Sequence, residues 1–318
     1  MRAFITGGAG FIGSHLADSL VARGDSVTIL DNLSTGLKEN IAHILDKVTF
    51  VEGDIRNQEH VEELTKDAEV VFHLAAAVGV QTIMNHTVDS VSTNFAGSEV
   101  VMQAALKFDK RLIIASTSEI YGKNPSQPLS ETDDRVVGTP QKIRWSYADA
   151  KALEEAVAYS LFVSAGLKQT TLRFFNTVGP RQSERYGMVL PRFAQAALKN
   201  KPIPVHGDGS QSRVFCHIED VIKAVLLICS DDSTIGEVFN VGGVGEITIR
   251  NLAERIISRV NSDSVISFTP YSDAYPAGYE DMQRRVPNIT KIKDLLGWEP
   301  SHDINSIIDS VVSSIKIS

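Results

Sequence analysis

A doubly wound α/β fold, a parallel sheet with a smaller C-terminal lobe, is the architecture this chain predicts. Three observations carry that expectation. Short apolar runs alternate with longer stretches of helical period from the N-terminus onward. A glycine turn sits directly between the first run and the first helical stretch. After Asn176 the texture changes to loops rich in Gly, Pro and Arg, such as Gly179-Pro180-Arg181 and Gly207-Asp208-Gly209-Ser210.

In chain order, Ala3–Ile5, Ser26–Leu30, Val48–Val51, Val70–Leu74, Arg111–Ala115, Thr170–Phe174 and Val238–Val241 read as strands. Between them, Gly13–Arg23, Glu59–Thr65, Ser90–Phe108 and Ser146–Ser164 carry apolar residues at helical spacing. Strands that alternate with helices imply a parallel sheet wrapped on both faces. Further helices are expected at Val189–Lys199, Glu219–Cys229 and Thr248–Val260. Residues 1–177 are expected to form the sheet domain, joined by a returning segment near 214–243 because Val238–Val241 reads as one more sheet strand. Residues 178–213 and 244–318 are expected to form the smaller lobe, closing over the C-terminal edge of the sheet, where ligands bind in open α/β folds.

Composition narrows the function classes. The 318 residues are 43% hydrophobic and 22% charged, the balance of a soluble globular protein. With 31 Lys plus Arg against 39 Asp plus Glu the net charge is -8, a surface that repels nucleic acid and anionic membranes. An anionic ligand must then be held by a few local cations and backbone N–H groups. Cys216 and Cys229 read as buried free thiols, and neither a disulfide framework nor a metal site is expected. No signal peptide is expected at the N-terminus, and no window approaches the ~18 apolar residues of a membrane span. A cytoplasmic protein is the expectation.

The glycine turn has the form Gly7-x-x-Gly10-x-x-Gly13, with a strand before it and a helix after. Glycines there permit a tight turn and close approach of backbone to a pyrophosphate, and the helix N-terminus favours the phosphate charge. The turn makes the expected sheet a Rossmann-like, dinucleotide-binding one. Asp31 closes the second strand, where an acid can bond both ribose hydroxyls and repel a 2′-phosphate, which favours NAD over NADP. Asn32, Ser34, Thr35 and Gly36 follow with short polar groups, and Asp54-Ile55 after the third strand is a candidate contact for the adenine.

At the chemical end, Ser116-Thr117-Ser118-Glu119 runs off a strand into hydroxyls and an acid. Tyr147 and Lys151 stand four residues apart, on one face of a helix. An ammonium beside a phenol favours the phenolate, so Lys151 is expected to lower the pKa of Tyr147 and make it a base toward a sugar or alcohol hydroxyl.

With these residues, the chain resembles the extended short-chain dehydrogenase/reductases, specifically their nucleotide-sugar branch. The marks are Thr6-Gly-Gly-Ala-Gly-Phe-Ile-Gly13, His73-Leu-Ala-Ala76, Ser116-Thr-Ser-Glu-Ile-Tyr-Gly122, Tyr147-x-x-x-Lys151, Arg173-Phe-Phe-Asn-Thr-Val-Gly-Pro-Arg181 and Gly207-Asp-Gly-Ser-Gln-Ser-Arg213. The resemblance implies bound NAD, a UDP-sugar substrate and a homodimer built from two helices of each subunit. It also implies that Phe11, Ile12, Leu74, Ala75, Ala76, Val78 and Asn94 complete the coenzyme site. Asn176, Val189 and Arg213 would line the nucleotide-diphosphate site, where a guanidinium can grip two phosphate oxygens.

Within the branch, Glu119 is typical of the enzymes that move a proton at C5. The segment Gly278-Tyr-Glu-Asp-Met-Gln-Arg284-Arg285-Val-Pro287 and Lys142-Ile-Arg-Trp145 are similar to the decarboxylase domain that serves aminoarabinose addition to lipid A. UDP-xylose synthases also place an Arg close before Pro here, which makes Arg285 a candidate proton donor, through a water, or carboxylate partner. They carry a Pro-rich loop where this chain has Ala77-Val-Gly-Val-Gln-Thr82, so that loop is not expected to read a carboxylate here. The resemblance thus implies a UDP-glucuronic acid decarboxylase: Tyr147 as base at C4, Lys151 on the nicotinamide ribose, Thr117 and Ser118 at the reacting oxygen, Glu119 and Arg285 at the carboxylate and the C5 proton. A UDP-hexose 4-epimerase is the alternative, followed by a 4,6-dehydratase and, from another class, a non-catalytic NAD sensor.

Overall fold

The computed structural model describes residues 1–77, 87–183, 188–275 and 280–315. Its strands are β1 (Arg2–Thr6), β2 (Ser26–Asp31), β3 (Val48–Glu52), β4 (Val70–His73), β5 (Arg111–Thr117), β6 (Gln169–Phe174), β7 (Thr177–Val178), β8 (Ile203–His206), β9 (Ser212–Arg213), β10 (Cys216–His217), β11 (Val238–Val241), β12 (Ile247–Thr248), β13 (Ile266–Thr269) and β14 (Arg284–Arg285). The principal helices are α1 (Phe11–Ala22), α2 (Gln58–Asp67), α3 (Thr87–Lys107), α4 (Ser146–Ala165), α5 (Val189–Leu198), α6 (Ile218–Cys229), α7 (Ile249–Val260), α8 (Thr290–Leu296) and α9 (Ile304–Ser314).

Seven strands form one sheet in the order β3-β2-β1-β4-β5-β6-β11, and every pairing in it is parallel. Alternate residues leave each strand toward opposite faces. Ile5, Phe72 and Ile113 join a core with α1 and α6, through Leu16, Leu20, Val221 and Val225. Phe4, Val71, Leu112 and Ile114 join the opposite core with α2, α3 and α4, through Val61, Val101, Met102 and Ala158. Burial on both faces is why these strands read as continuous apolar runs. The strand order reverses at β1 and β4, so the loops after them diverge and leave a crevice.

A separate apolar cluster joins α5, α7 and α9 to β8, through Phe193, Val205, Leu252 and Ile308. There β13 pairs with β8 in parallel. Neither strand is marked by the sequence pattern, since each is short and only partly buried. β14 lies parallel to β9, which sets Arg285 beside Arg213 in register. Leu129 holds the same segment from the other side, donating its N–H to the Val286 carbonyl at 2.8 Å and accepting from Asn288 N–H at 2.7 Å. A stretch near the C-terminus is thereby brought over the end of β5.

Candidate active site

A cavity of about 480 Å³ runs along the C-terminal edge of the sheet. Its first half is built by one continuous part of the chain. After β1, Gly7 takes a φ of +72°, and a Cβ there would lie 2.7 Å from the Ala75 nitrogen. A Cβ at Gly13 would lie 2.2 Å from the Gly7 carbonyl oxygen. Glycine at both positions keeps the turn flat against the loop after β4. α1 then begins with Gly10 as its N-cap, and Gly10 to Gly13 border the cavity, so a helix N-terminus is offered to an anion.

Asp31 ends β2 facing the same cavity. Its carboxylate accepts N–H bonds from Ala9 and Leu33, both at 2.9 Å. Burial pushes its pKa up and these two bonds pull it down. Each oxygen keeps a free lone pair for a ribose hydroxyl, while a further phosphate would meet like charge. The cradle therefore fits a dinucleotide without a 2′-phosphate.

The second half is assembled from distant segments. β5 delivers Thr117 to the cavity, and a tight turn follows in which the Thr117 hydroxyl accepts the Glu119 N–H at 3.2 Å. α4 delivers Tyr147, hydrogen-bonded to Thr117, and Lys151 one turn further on. The Lys151 Nζ, only 2% exposed, donates to the Ala115 carbonyl at 2.8 Å and to both oxygens of Glu154 at 3.0 Å. Burial and the nearby Glu154 and Glu119 carboxylates push the Tyr147 pKa above the free phenol value. The expectation that Lys151 lowers it is corrected: the lysine's charge is already paired.

Glu119 is clamped between two guanidiniums. Arg144 Nη2 lies 2.6 Å from one oxygen, and Arg285 Nη1 donates to the other. The remaining Arg285 arm donates to the Asn176 side-chain oxygen. Burial pushes the Glu119 carboxyl up, but the charges of Arg144 and Arg285 overcome it and hold the pKa at about 2. The two guanidiniums thus hold this carboxylate ionised at neutral pH. Two guanidiniums against one carboxylate leave this cluster with a net positive charge, although Tyr147 itself feels the Glu119 carboxylate.

Arg213, in register with Arg285, bonds Asp281 at 2.9 Å, and Tyr271 donates to the other Asp281 oxygen at 3.1 Å. Val189 and Arg192 of α5, with His206, Gln211 and Tyr275, border the far end.

Of the residues singled out in the sequence, Gly7, Gly10, Phe11, Ile12, Asp31, Asn32, Ser34, Thr35, Ile55, Leu74, Ala75 and Ala76 border the first half of the cavity. Thr117, Ser118, Glu119, Tyr147, Lys151, Asn176, Val189, Arg213 and Arg285 border the second. Three candidates stand back from the wall. Asp54 bonds Arg56 at 2.6 and 2.9 Å, which with further bonds lowers its pKa. Asn94 is fully buried and grips the Ala77 backbone, accepting from its N–H at 2.7 Å and donating to its carbonyl at 3.1 Å. Gly36 packs behind Asp31, where a Cβ would lie 2.9 Å from both carboxylate oxygens. Val78, most of the Ala77–Thr82 loop and Gly278-Tyr279 lie outside the described residues. Neither Arg144 nor Glu154 is among the site residues singled out in the sequence: an Arg before a helix carries no local signal, whereas Glu154, three residues past Lys151 on the same helix, is a pairing the spacing could have shown. The Lys142-Ile-Arg-Trp145 resemblance was the one pointer to Arg144.

Residues 4–311 match the model of the GDP-mannose 4,6 dehydratase family. A UDP-N-acetyl-alpha-D-glucosaminuronate decarboxylase of Bacillus cytotoxicus is 41% identical over 301 residues, 94% of this chain and 93% of the relative. UDP-glucuronic acid decarboxylase 4 of Arabidopsis thaliana is 33% identical over 94% of this chain, which spans 65% of that longer protein. Among solved structures, Thermus thermophilus UDP-glucose 4-epimerase in complex with NAD superposes with a TM-score of 0.87 at 30% identity, covering 99% of this chain and 98% of that one. The match runs nearly the full length of the chain, and this chain belongs to the GDP-mannose 4,6-dehydratase family of extended short-chain dehydrogenase/reductase enzymes.

Proposed function

We propose that this protein is an NAD-dependent decarboxylase of a UDP-linked uronic acid, UDP-glucuronic acid or its 2-acetamido counterpart. The observation that carries the reading is the patch made by Arg144, Glu119 and Arg285 beside Tyr147. A neutral hexose has no use for two guanidiniums at the reacting end, whereas a uronate carboxylate finds two partners there. The decarboxylase relatives support the same reading.

NAD, when bound, supplies the acceptor for the C4 hydride. Tyr147 takes the proton of the C4 hydroxyl, and Thr117 orients that oxygen. Oxidation at C4 makes the uronate a β-keto acid. The C5–C6 bond then breaks, CO₂ leaves, and the electron pair passes into the 4-keto oxygen. C5 is reprotonated, with Arg285 acting through a water, and the 4-keto-pentose is released or reduced to a UDP-xylose-type product. Glu119 holds the two guanidiniums at a set spacing and carries no proton.

The protein is further proposed to work as a homodimer through α3 and α4, where Val88, Leu153, Tyr159 and Val163 are 82%, 49%, 57% and 67% exposed. A cytoplasmic setting suits the two free thiols, Cys216 and Cys229; no described helix is long and apolar enough to cross a membrane. The deciding experiment incubates the purified protein and NAD with each UDP-uronate and follows product mass. Loss of the mass of one CO₂ is expected. An unchanged mass with altered chromatography, as an epimerase gives, or no turnover, overturns the reading.

A further inference from the structure

Lys151 does not act alone behind Tyr147. Glu154 lies one turn along α4 and is 1% exposed, and both its oxygens receive the Lys151 ammonium. Burial pushes the Glu154 carboxyl up and the Lys151 ammonium pulls it down; it is also hydrogen-bonded to Ser98 of α3, whose O–H reaches the Asn94 carbonyl at 2.5 Å as well. Ser98 Oγ bonds His73 Nε2 at 2.7 Å, and His73 Nδ1 bonds the Thr6 hydroxyl at 2.8 Å, directly below the glycine turn. Thr6 also accepts the Ala75 N–H at 3.3 Å. Burial and the Lys151 charge keep His73 neutral, with a pKa of about 3. With the Thr6 O–H donated to Nδ1, the ring N–H at Nε2 points to Ser98, and every member of the chain has a partner.

We infer that Glu154 is a positioning residue for the base: its carboxylate anchors the Lys151 ammonium from behind, cancels that charge toward Tyr147, and ties both to the strand end beneath the coenzyme turn. Toward Tyr147 the Glu154 charge opposes that of the ammonium it is bonded to. In the coenzyme-free protein the phenol is then left protonated, and it becomes a base only when a further positive charge enters the cavity. The inference rests on Tyr147 being that base, and not on which sugar is bound.

The other charged groups near Tyr147 are accounted for. Glu119 at the end of β5 adds a negative charge, itself held by Arg144 ahead of α4 and Arg285 of β14. Glu155 is paired with Arg173 of β6 at 2.7 Å. From β4 and α3 come only neutral His73 and Ser98. Glu154 is the partner whose removal uncovers the lysine.

The test titrates Tyr147 without coenzyme, as the tyrosinate ultraviolet difference signal absent in Tyr147→Phe, in wild type, Glu154→Gln and Glu154→Asp. Glu154→Gln is expected to move that titration, and the acid limb of kcat/KM, to lower pH by about one unit, a tenfold change in ionisation. Glu154→Asp keeps the charge and retracts it by one methylene, so both pH positions stay at wild type while kcat falls severalfold with little change in KM. A Glu154→Gln titration that coincides with wild type overturns the inference. Should Glu154→Gln not fold, Glu154→Asp decides: wild-type kcat overturns it, and a lowered kcat with the limb in place upholds it. Because the titration uses no sugar, its outcome is independent of the proposed decarboxylation.

Discussion

The two halves of the cavity are built on opposite plans. The coenzyme half comes almost wholly from one run, Thr6 to Ala77, and works with backbone N–H groups, flat glycines and a single carboxylate, Asp31. The reacting half draws on segments around residues 117, 144, 176, 213 and 285, and works with paired charges. A cradle of backbone N–H groups and one carboxylate is compatible with any sugar chemistry, because it holds a ligand that does not vary. Charges brought in from far along the chain can be exchanged without disturbing that cradle. This division explains how epimerases and decarboxylases share the architecture: the difference sits in the second half.

The comparison breaks most readily at the group that joins the halves. Tyr147→Phe is expected to lower turnover about 10²–10⁴-fold while leaving NAD affinity within about twofold, read by steady-state kinetics and by coenzyme binding. Equal loss of both would mean that the phenol is part of the coenzyme cradle.

Next in size, Arg285→Met and Arg144→Met each strand the Glu119 carboxylate with one partner. A loss of about 2–5 kcal/mol at a buried charge pair corresponds to a fall in kcat/KM for a UDP-uronate of roughly 30-fold to several thousandfold. NAD affinity and turnover of any neutral UDP-hexose should be unaffected. A similar penalty on a neutral sugar would remove the argument that the patch reads a carboxylate.

Asp31→Asn tests the other half. It is expected to weaken NAD about tenfold to a hundredfold and to narrow the gap to NADP, with KM for the sugar unchanged. A change in sugar KM would show that the halves communicate.

The smallest effect concerns stability. The Glu119 carboxyl sits at about 2 in the folded protein against an ordinary value of 4.5, so the folded state binds fewer protons between these values. Its contribution is complete above pH ~4.5 and is lost as pH falls toward ~2. Thermal unfolding of Glu119→Gln, followed over that range, should show a shallower acid decline than wild type.

Much of the fold is readable from local pattern. All seven strands of the main sheet and the helices that cover it coincide with the apolar periodicity to within a few residues, since burial on both faces demands a continuous apolar run. The β8–β13 pairing, the contact of β14 with β9, and helices α8 and α9 are not among the elements the pattern predicts, although α9 is clearly amphipathic. The site divides the same way. Gly7, Gly13 and Asp31 sit at positions where strand, turn and helix follow one another, so their roles are local. Asp54 is a coenzyme candidate by its position after β3 and Asn94 by resemblance; in the fold Asp54 bonds Arg56 and Asn94 bonds the Ala77 backbone.

By itself the sequence determined the parallel sheet, the dinucleotide turn and the spacing of Tyr147 and Lys151, because each depends on residues within one strand or one helical turn of one another. Tertiary structure alone decided the electrostatic state of that pair. Glu154 already lies three residues from Lys151 on α4, but Ser98 and His73 join them, and Arg144 and Arg285 meet across Glu119, only when β4, α3, α4 and β14 have packed. Charge effects act through space at a few ångströms, and no periodicity along the chain records which distant side chains will share that space.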